Sequence, residues 1–89
     1  MDSRFKKLKI KLEELSWPQV YYFKFICPSD SETIAKVSAL FNENSEDLKI
    51  RPSRKGNYVS ISAKEVMTSA SAVIEVYEES AKIKGVISL

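Results

Sequence analysis

Histidine is absent from this sequence, and with it the one side chain that titrates near neutrality without help from its surroundings. Most general acid–base and nucleophilic arrangements depend on such a group, so an enzyme is not expected. Cysteine occurs once, as Cys27, which excludes an internal disulfide. Together the two shortages exclude a tetrahedral zinc or iron–sulfur site within one chain, leaving only hard oxygen ligands for a metal, and no cofactor is expected. No run approaches the ~20 apolar residues that cross a bilayer. The start Met1-Asp2-Ser3-Arg4 lacks the apolar core of a signal peptide. The expectation is a cytoplasmic protein without membrane contact. With two glycines and three prolines, the chain also has no low-complexity segment, long linker or internal repeat.

What is present suits a folded domain: 44% hydrophobic residues and 29% charged ones are too apolar a mixture for disorder. Eighty-nine residues make one compact unit, because a chain of this size buries only about 60–65% of its unfolded surface. The net charge of +2 is unevenly spread. Residues 1–11 carry five basic side chains against Asp2, a local +4, so the remainder of the chain carries −2. A second basic cluster lies at Lys49–Lys55.

Phe5, Leu8, Leu12 and Leu15 recur at helical spacing and predict a short basic amphipathic helix within an N-terminal extension, residues 1–16. Pro18 ends it, and Trp17 before the proline is pushed toward extended backbone. Residues 17–89 read as a single domain. Val20 to Ile26, rich in aromatic and β-branched residues, is the clearest strand, and Pro28 terminates it. Ser29-Asp30-Ser31-Glu32 resembles a capping box with Ser29 as the cap. A helix follows through Ile34, Val37, Leu40 and Phe41, stopped by Asn42-Glu43-Asn44. Leu48–Arg51 and Tyr58–Ala63 form a hairpin around Pro52 and Gly56, with Gly56 and Asn57 the residue types that most readily take positive φ. Thr68 to Ala81 carries the stripe Ala70, Val73, Ile74, Tyr77 and Ala81 of a second domain helix, with Glu78 and Lys82 an i,i+4 pair and Lys82 and Lys84 suited to its dipole. Gly85 breaks the pattern, and Val86 to Leu89 is a final strand.

The order helix, then β-α-β-β-α-β, predicts an α+β ferredoxin-like sandwich: a four-stranded antiparallel sheet with two helices on one face. Strand alternation places Val59, Ile61 and Ala63, with Tyr21, Phe23 and Phe25, toward the helices. The opposite, open face then displays Val20, Tyr22, Lys24, Ile26, Lys49, Arg51, Tyr58, Ser60 and Ser62. Aromatic and basic groups on such a face suggest RNA recognition through Tyr22 and Tyr58. However, Lys55-Gly56-Asn57-Tyr58-Val59 puts Asn and Val where stacking rings would stand, and a solvated or dimer-covered face is the plainer reading. The hairpin loop Ser53, Arg54, Lys55, Gly56 and Asn57 combines main-chain donors with positive charge, as an anion site requires. Exposed turns are also polar for solubility. Cys27 reads as a buried strand-end thiol, since no histidine is present to activate it.

The run Pro52-Ser53, Lys55-Gly56-Asn57-Tyr58, Ser60 and Ser62, with Tyr77-Glu78-Glu79 and Lys82-Ile83, resembles the small uncharacterised bacterial proteins typified by YbeD. The likeness runs from about Leu12 to the C-terminus. Ala81 departs from it where a helix-ending glycine is expected. The resemblance implies a ferredoxin-like fold close to ACT-type regulatory domains, which bind small molecules and associate through their sheets. ACT domains usually hold their ligand at a glycine-bearing turn after the first strand, and Cys27-Pro28-Ser29-Asp30 has no glycine. The resulting expectation is a non-enzymatic regulatory or adaptor module. It would engage a protein partner or small anionic ligand through the 52–58 loop and the open sheet, with homodimerisation possible. The competing expectation is a nucleic-acid-binding module.

Overall fold

The computed structural model describes residues 5–41 and 48–88. Its elements run α1 (Lys6–Glu13), β1 (Gln19–Pro28), α2 (Ser31–Ser38), β2 (Lys49–Pro52), β3 (Tyr58–Met67), α3 (Ala70–Ala81) and β4 (Ile87–Ser88). The sheet order is β2-β3-β1-β4, antiparallel throughout, so the two long strands are central and the two short ones form the edges. This is the expected α+β arrangement. β1 and β3 pair over ten residues, from Gln19 opposite Met67 to Pro28 opposite Tyr58.

The register makes the two sheet faces chemically distinct. Phe23, Phe25 and Cys27 on β1, and Val59, Ile61 and Ala63 on β3, point to one side and are buried. They pack with Val37 of α2, with Val73, Ile74 and Tyr77 of α3, and with Phe41. The Tyr77 ring lies 5.5 Å from that of Phe23 and 6.0 Å from that of Phe25. Truncating a fully enclosed ring such as Phe25 costs about 3–5 kcal/mol. All helices therefore sit on one face.

The N-terminal helix is part of this layer: α1 packs on α3, and Phe5 stacks on Tyr77 at 5.8 Å. Phe5 and Leu12 are buried and Leu8 packs against the core, whereas Leu15, assigned to the same stripe, is 47% exposed. Leu15 lies beyond the helix end, where Trp17 Nε1 donates to the Leu12 carbonyl at 2.9 Å. The Trp17–Pro18 peptide is cis.

Several boundaries differ from the sequence reading for identifiable reasons. Asp30, not Ser29, caps α2: its carboxylate accepts from the Thr33 amide at 3.1 Å and the Thr33 hydroxyl at 2.8 Å. The Ser29 amide is already engaged, donating to the Asn57 carbonyl at 3.0 Å, which continues the β1–β3 pairing one step and delays the helix. α3 begins at Ala70, with the Ser69 hydroxyl accepting from the Ala72 amide. It ends at Ala81 despite the missing glycine, and Lys82 follows as its C-cap. Lys82 pairs with Glu79 at 3.0 Å, one residue on from the Glu78 contact expected. Gly56 has φ +77°, as the turn demands, but Asn57 keeps negative φ. The stop signal Asn42-Glu43-Asn44 lies outside the described residues.

Candidate functional site

The open face is built by alternation alone. Outward positions on β1 are Val20, Tyr22, Lys24, Ile26 and Pro28, and on β3 they are Tyr58, Ser60, Ser62, Lys64 and Val66. Lys49 and Arg51 on β2 stand opposite Ser62 and Ser60, and Ile87 on β4 stands opposite Ile26. Across the middle of the sheet this gives one row of Lys24, Ser62 and Lys49, and beside it a row of Ile26, Ser60 and Arg51. Among the described residues, the outward strand positions carry four cations and no carboxylate.

Two shallow recesses follow these rows. One, of about 310 Å³, is bordered by Tyr22, Lys24, Lys49, Ser62 and Lys64. The other, of about 500 Å³, is bordered by Lys24, Lys49, Ile50, Arg51, Ser60 and Ser62. Lys64 Nζ lies 6.0 Å from the Tyr22 ring centroid, close enough for a cation–π contact. The Ser60 hydroxyl reaches the Arg51 carbonyl only at 3.5 Å, too long to hold it firmly. At the far end of the face Val20, Tyr22 and Val66 are exposed, so the basic centre grades into an apolar margin.

The hairpin loop divides from this surface. The Ser53 amide donates to the Tyr58 carbonyl at 2.8 Å, the Tyr58 amide donates to the Ser53 hydroxyl at 3.2 Å, and the Gly56 amide donates to the Ser53 carbonyl at 3.0 Å. Ser53 therefore closes the turn, its hydroxyl oxygen accepting from the Tyr58 amide while its O–H remains a donor. Arg54, Lys55, Gly56 and Asn57 are exposed beyond the strand ends. Tyr22 stands opposite Lys64 while Tyr58 stands opposite Pro28, six positions along β1, which separates the two rings' attachment points by about 20 Å. Adjacent bases could not stack on both.

Of the residues singled out from sequence, the structure gathers Lys24, Ser60 and Ser62, places Tyr22 beside them, and leaves Ser53–Asn57 and Tyr58 at the loop end. Lys64 was missed. The sequence reading stopped the strand at Ala63 because Glu65 falls on the helix-facing parity. The outward alternation Ser60, Ser62, Lys64, Val66 was the available signal.

The remaining titratable groups of note belong to the helix side. Burial raises the Cys27 thiol pKa, with a further contribution from Asp30. Burial also pushes up the Tyr77 phenol, assisted by the Tyr21 hydroxyl 3.1 Å away. Hydrogen bonds from Thr33 lower the Asp30 carboxyl. None of these groups faces the recesses. Among the described residues no cluster of His, Cys, Asp and Glu could hold a metal ion, and no helix is long and apolar enough to cross a membrane.

Residues 13–89 match the family described as Protein of unknown function (DUF493). The chain belongs to that family. Neither a curated protein nor a solved structure matches it. The DUF493 match covers every strand and both domain helices but begins at the last residue of α1, so most of the basic N-terminal helix lies outside it.

Proposed function

We propose that this DUF493 chain is a non-enzymatic binding module of YbeD-like, ACT-like regulatory character, acting in the cytoplasm, whose open sheet face receives an anionic partner or ligand. The observation that carries this reading is the set Lys24, Lys49, Arg51 and Lys64 on one surface without a carboxylate among them. Ser60 and Ser62 stand between the cations as hydroxyl donors, and the recesses beside them give a ligand somewhere to sit. Electropositive surfaces of this kind raise the local concentration of anions and speed their arrival. The hairpin cations Arg54 and Lys55 extend the field beyond the strand ends without forming the recess.

Amide and lysine-Nζ NMR spectra recorded while titrating citrate provide the test. Shifts centred on Lys24, Lys49 and Ser62, abolished in Lys24→Ala/Lys49→Ala at a melting temperature no lower than that of the native chain, are the expected result. Shifts confined to the helix face, or none at all, would overturn the reading.

The nucleic-acid alternative draws on the same cations, but the separation of Tyr22 from Tyr58 removes its stacking platform. Retardation of single-stranded RNA that weakens steeply with salt would restore it.

A further inference from the structure

The outer edge of β2 supplies something the face alone does not, namely a short backbone template with a defined register. Among the described residues no strand pairs with that edge. The Ser53 amide bonds the Tyr58 carbonyl, and hydrogen-bonded pairs recur every second residue in an antiparallel ladder. Arg51 and Lys49 therefore direct their backbone groups at β3, while the N–H and C=O of Ile50 point away from the sheet. Side chains alternate across the same strand: Lys49 and Arg51 project onto the open face, and Ile50 projects toward the helix layer. Ile50 is 47% exposed although its cross-strand neighbour Ile61 is fully buried, so the helix layer does not cover the edge.

We propose that β2 accepts an extended acidic segment of a protein partner as a fifth, antiparallel strand. Its pattern is acidic–apolar–acidic: two carboxylate side chains beside Arg51 and Lys49, and one apolar side chain between them beside Ile50. This rests on the anionic-partner reading and narrows it to a peptide held by main-chain pairing, the mode in which backbone bonds supply affinity and alternate side chains supply selection. Charge decides the occupant. A second copy of this chain pairing β2 on β2 would set Lys49 and Arg51 against another Lys and Arg, which is repulsive. The same cations favour a strand bearing carboxylates at alternate positions, and Pro52, without an N–H, limits how far pairing extends. The recess bordered by Lys24, Lys49, Ile50, Arg51, Ser60 and Ser62 crosses the open face from β1 to β2 and reaches this edge, beside the positions the carboxylates would take.

The test uses the full chain, titrated to millimolar concentration with a blocked Thr-Glu-Val-Glu-Thr peptide and followed by NMR and amide hydrogen exchange. Parallel arms contain the peptide with an N-methylated valine, a Thr-Lys-Val-Lys-Thr peptide, citrate, and a single-stranded oligouridylate. At saturation the Ile50 amide is expected to exchange at least about tenfold more slowly with the acidic peptide, and not with its N-methylated form. In Lys49→Glu/Arg51→Glu, whose melting curve establishes that it folds, preference should pass to the lysine peptide.

Acidic-peptide shifts on the face without Ile50 protection, or equal binding of the N-methylated peptide, would overturn strand addition and leave the anionic-face reading standing. Absence of any acidic probe from the face would overturn both. Preferential binding of the oligouridylate would replace the peptide with nucleic acid.

Discussion

Gly85 and Gly56 both sit at positive φ, but only one of them is crowded. At Gly85, φ +85°, an added Cβ would lie 3.0 Å from Pro28 Cγ and 3.1 Å from Cδ, against a ring fixed at the end of β1. At Gly56, φ +77°, nothing lies within 4 Å of the same position. Gly56→Ala should therefore carry only the backbone penalty, about 1–2 kcal/mol, and Gly85→Ala a larger loss from the added contact. Urea denaturation of the two variants compares them directly. Equal losses would mean that the Pro28 ring yields.

Cys27 is a second residue-scale case, fully buried with its thiol pKa raised. Thiolate is the reactive form. A disulfide-exchange reagent at neutral pH should label the native chain at least about a hundredfold more slowly than the denatured chain, because the thiol is exposed only on opening. Comparable rates in the two states would contradict the burial. The burial was legible in the sequence, where Cys27 reads as a strand-end thiol with no histidine present to activate it. The turn role of Ser53 was not: its type suits an anion site and a turn equally, and the hydrogen bond from the Tyr58 amide is a contact across the turn that the residue type does not announce.

At the scale of elements, legibility followed the length of the apolar pattern. β1 was read with its faces correct because Lys24 marks the solvent side between the buried Phe23 and Phe25, which alternation then extends to Tyr21 and Tyr22. β3 was cut short at Ala63, since Glu65 occupies a helix-facing position opposite Tyr21 near the rim, where both side chains are half-buried and a polar group is tolerated. The α2 start was misplaced by one residue for a related reason: Ser29 and Asp30 are both good caps, and tertiary pairing of the Ser29 amide to Asn57 selects Asp30.

That choice has a pH signature. Hydrogen bonds from Thr33 first, with smaller help from the Lys36 charge, hold the Asp30 carboxyl below its ordinary range. A carboxylate with a depressed folded-state pKa contributes fully above its unfolded value of 3.8, and the contribution is lost as pH falls through the lower folded value. Asp30→Asn retains a cap oxygen without the titration. Its melting temperature should lie below that of the native chain near neutral pH, and the gap should shrink as pH falls below about 4. A gap that widens on acidification would contradict the assignment.

The whole molecule is a two-sided plate, with aromatic rings interlocked beneath the sheet and, above it, cations without a carboxylate partner among the described residues. Sequence alone supplied the architecture, because each strand and helix followed its own periodicity. It could not supply the rows of the open face, which depend on the register of three strands whose paired residues lie up to nearly forty positions apart. Lys24 and Lys49 flank Ser62 at about 10 Å between Cα atoms, two strand spacings, with Lys64 and Arg51 on adjoining rows. Like charges at that separation repel, and salt screens them over a comparable length.

The face therefore costs stability at low ionic strength, and the cost should be visible without any ligand. The native chain's melting temperature should rise as sodium chloride is increased from about 10 to 200 mM, over which the screening length falls from ~30 Å to below 10 Å. Lys24→Gln/Lys49→Gln should melt higher than the native chain at the low-salt end and respond less to added salt. Its citrate shifts should disappear at the same time. A native chain indifferent to salt would mean that the cations already have partners, and the open face would lose its claim to be kept charged for something else to bind.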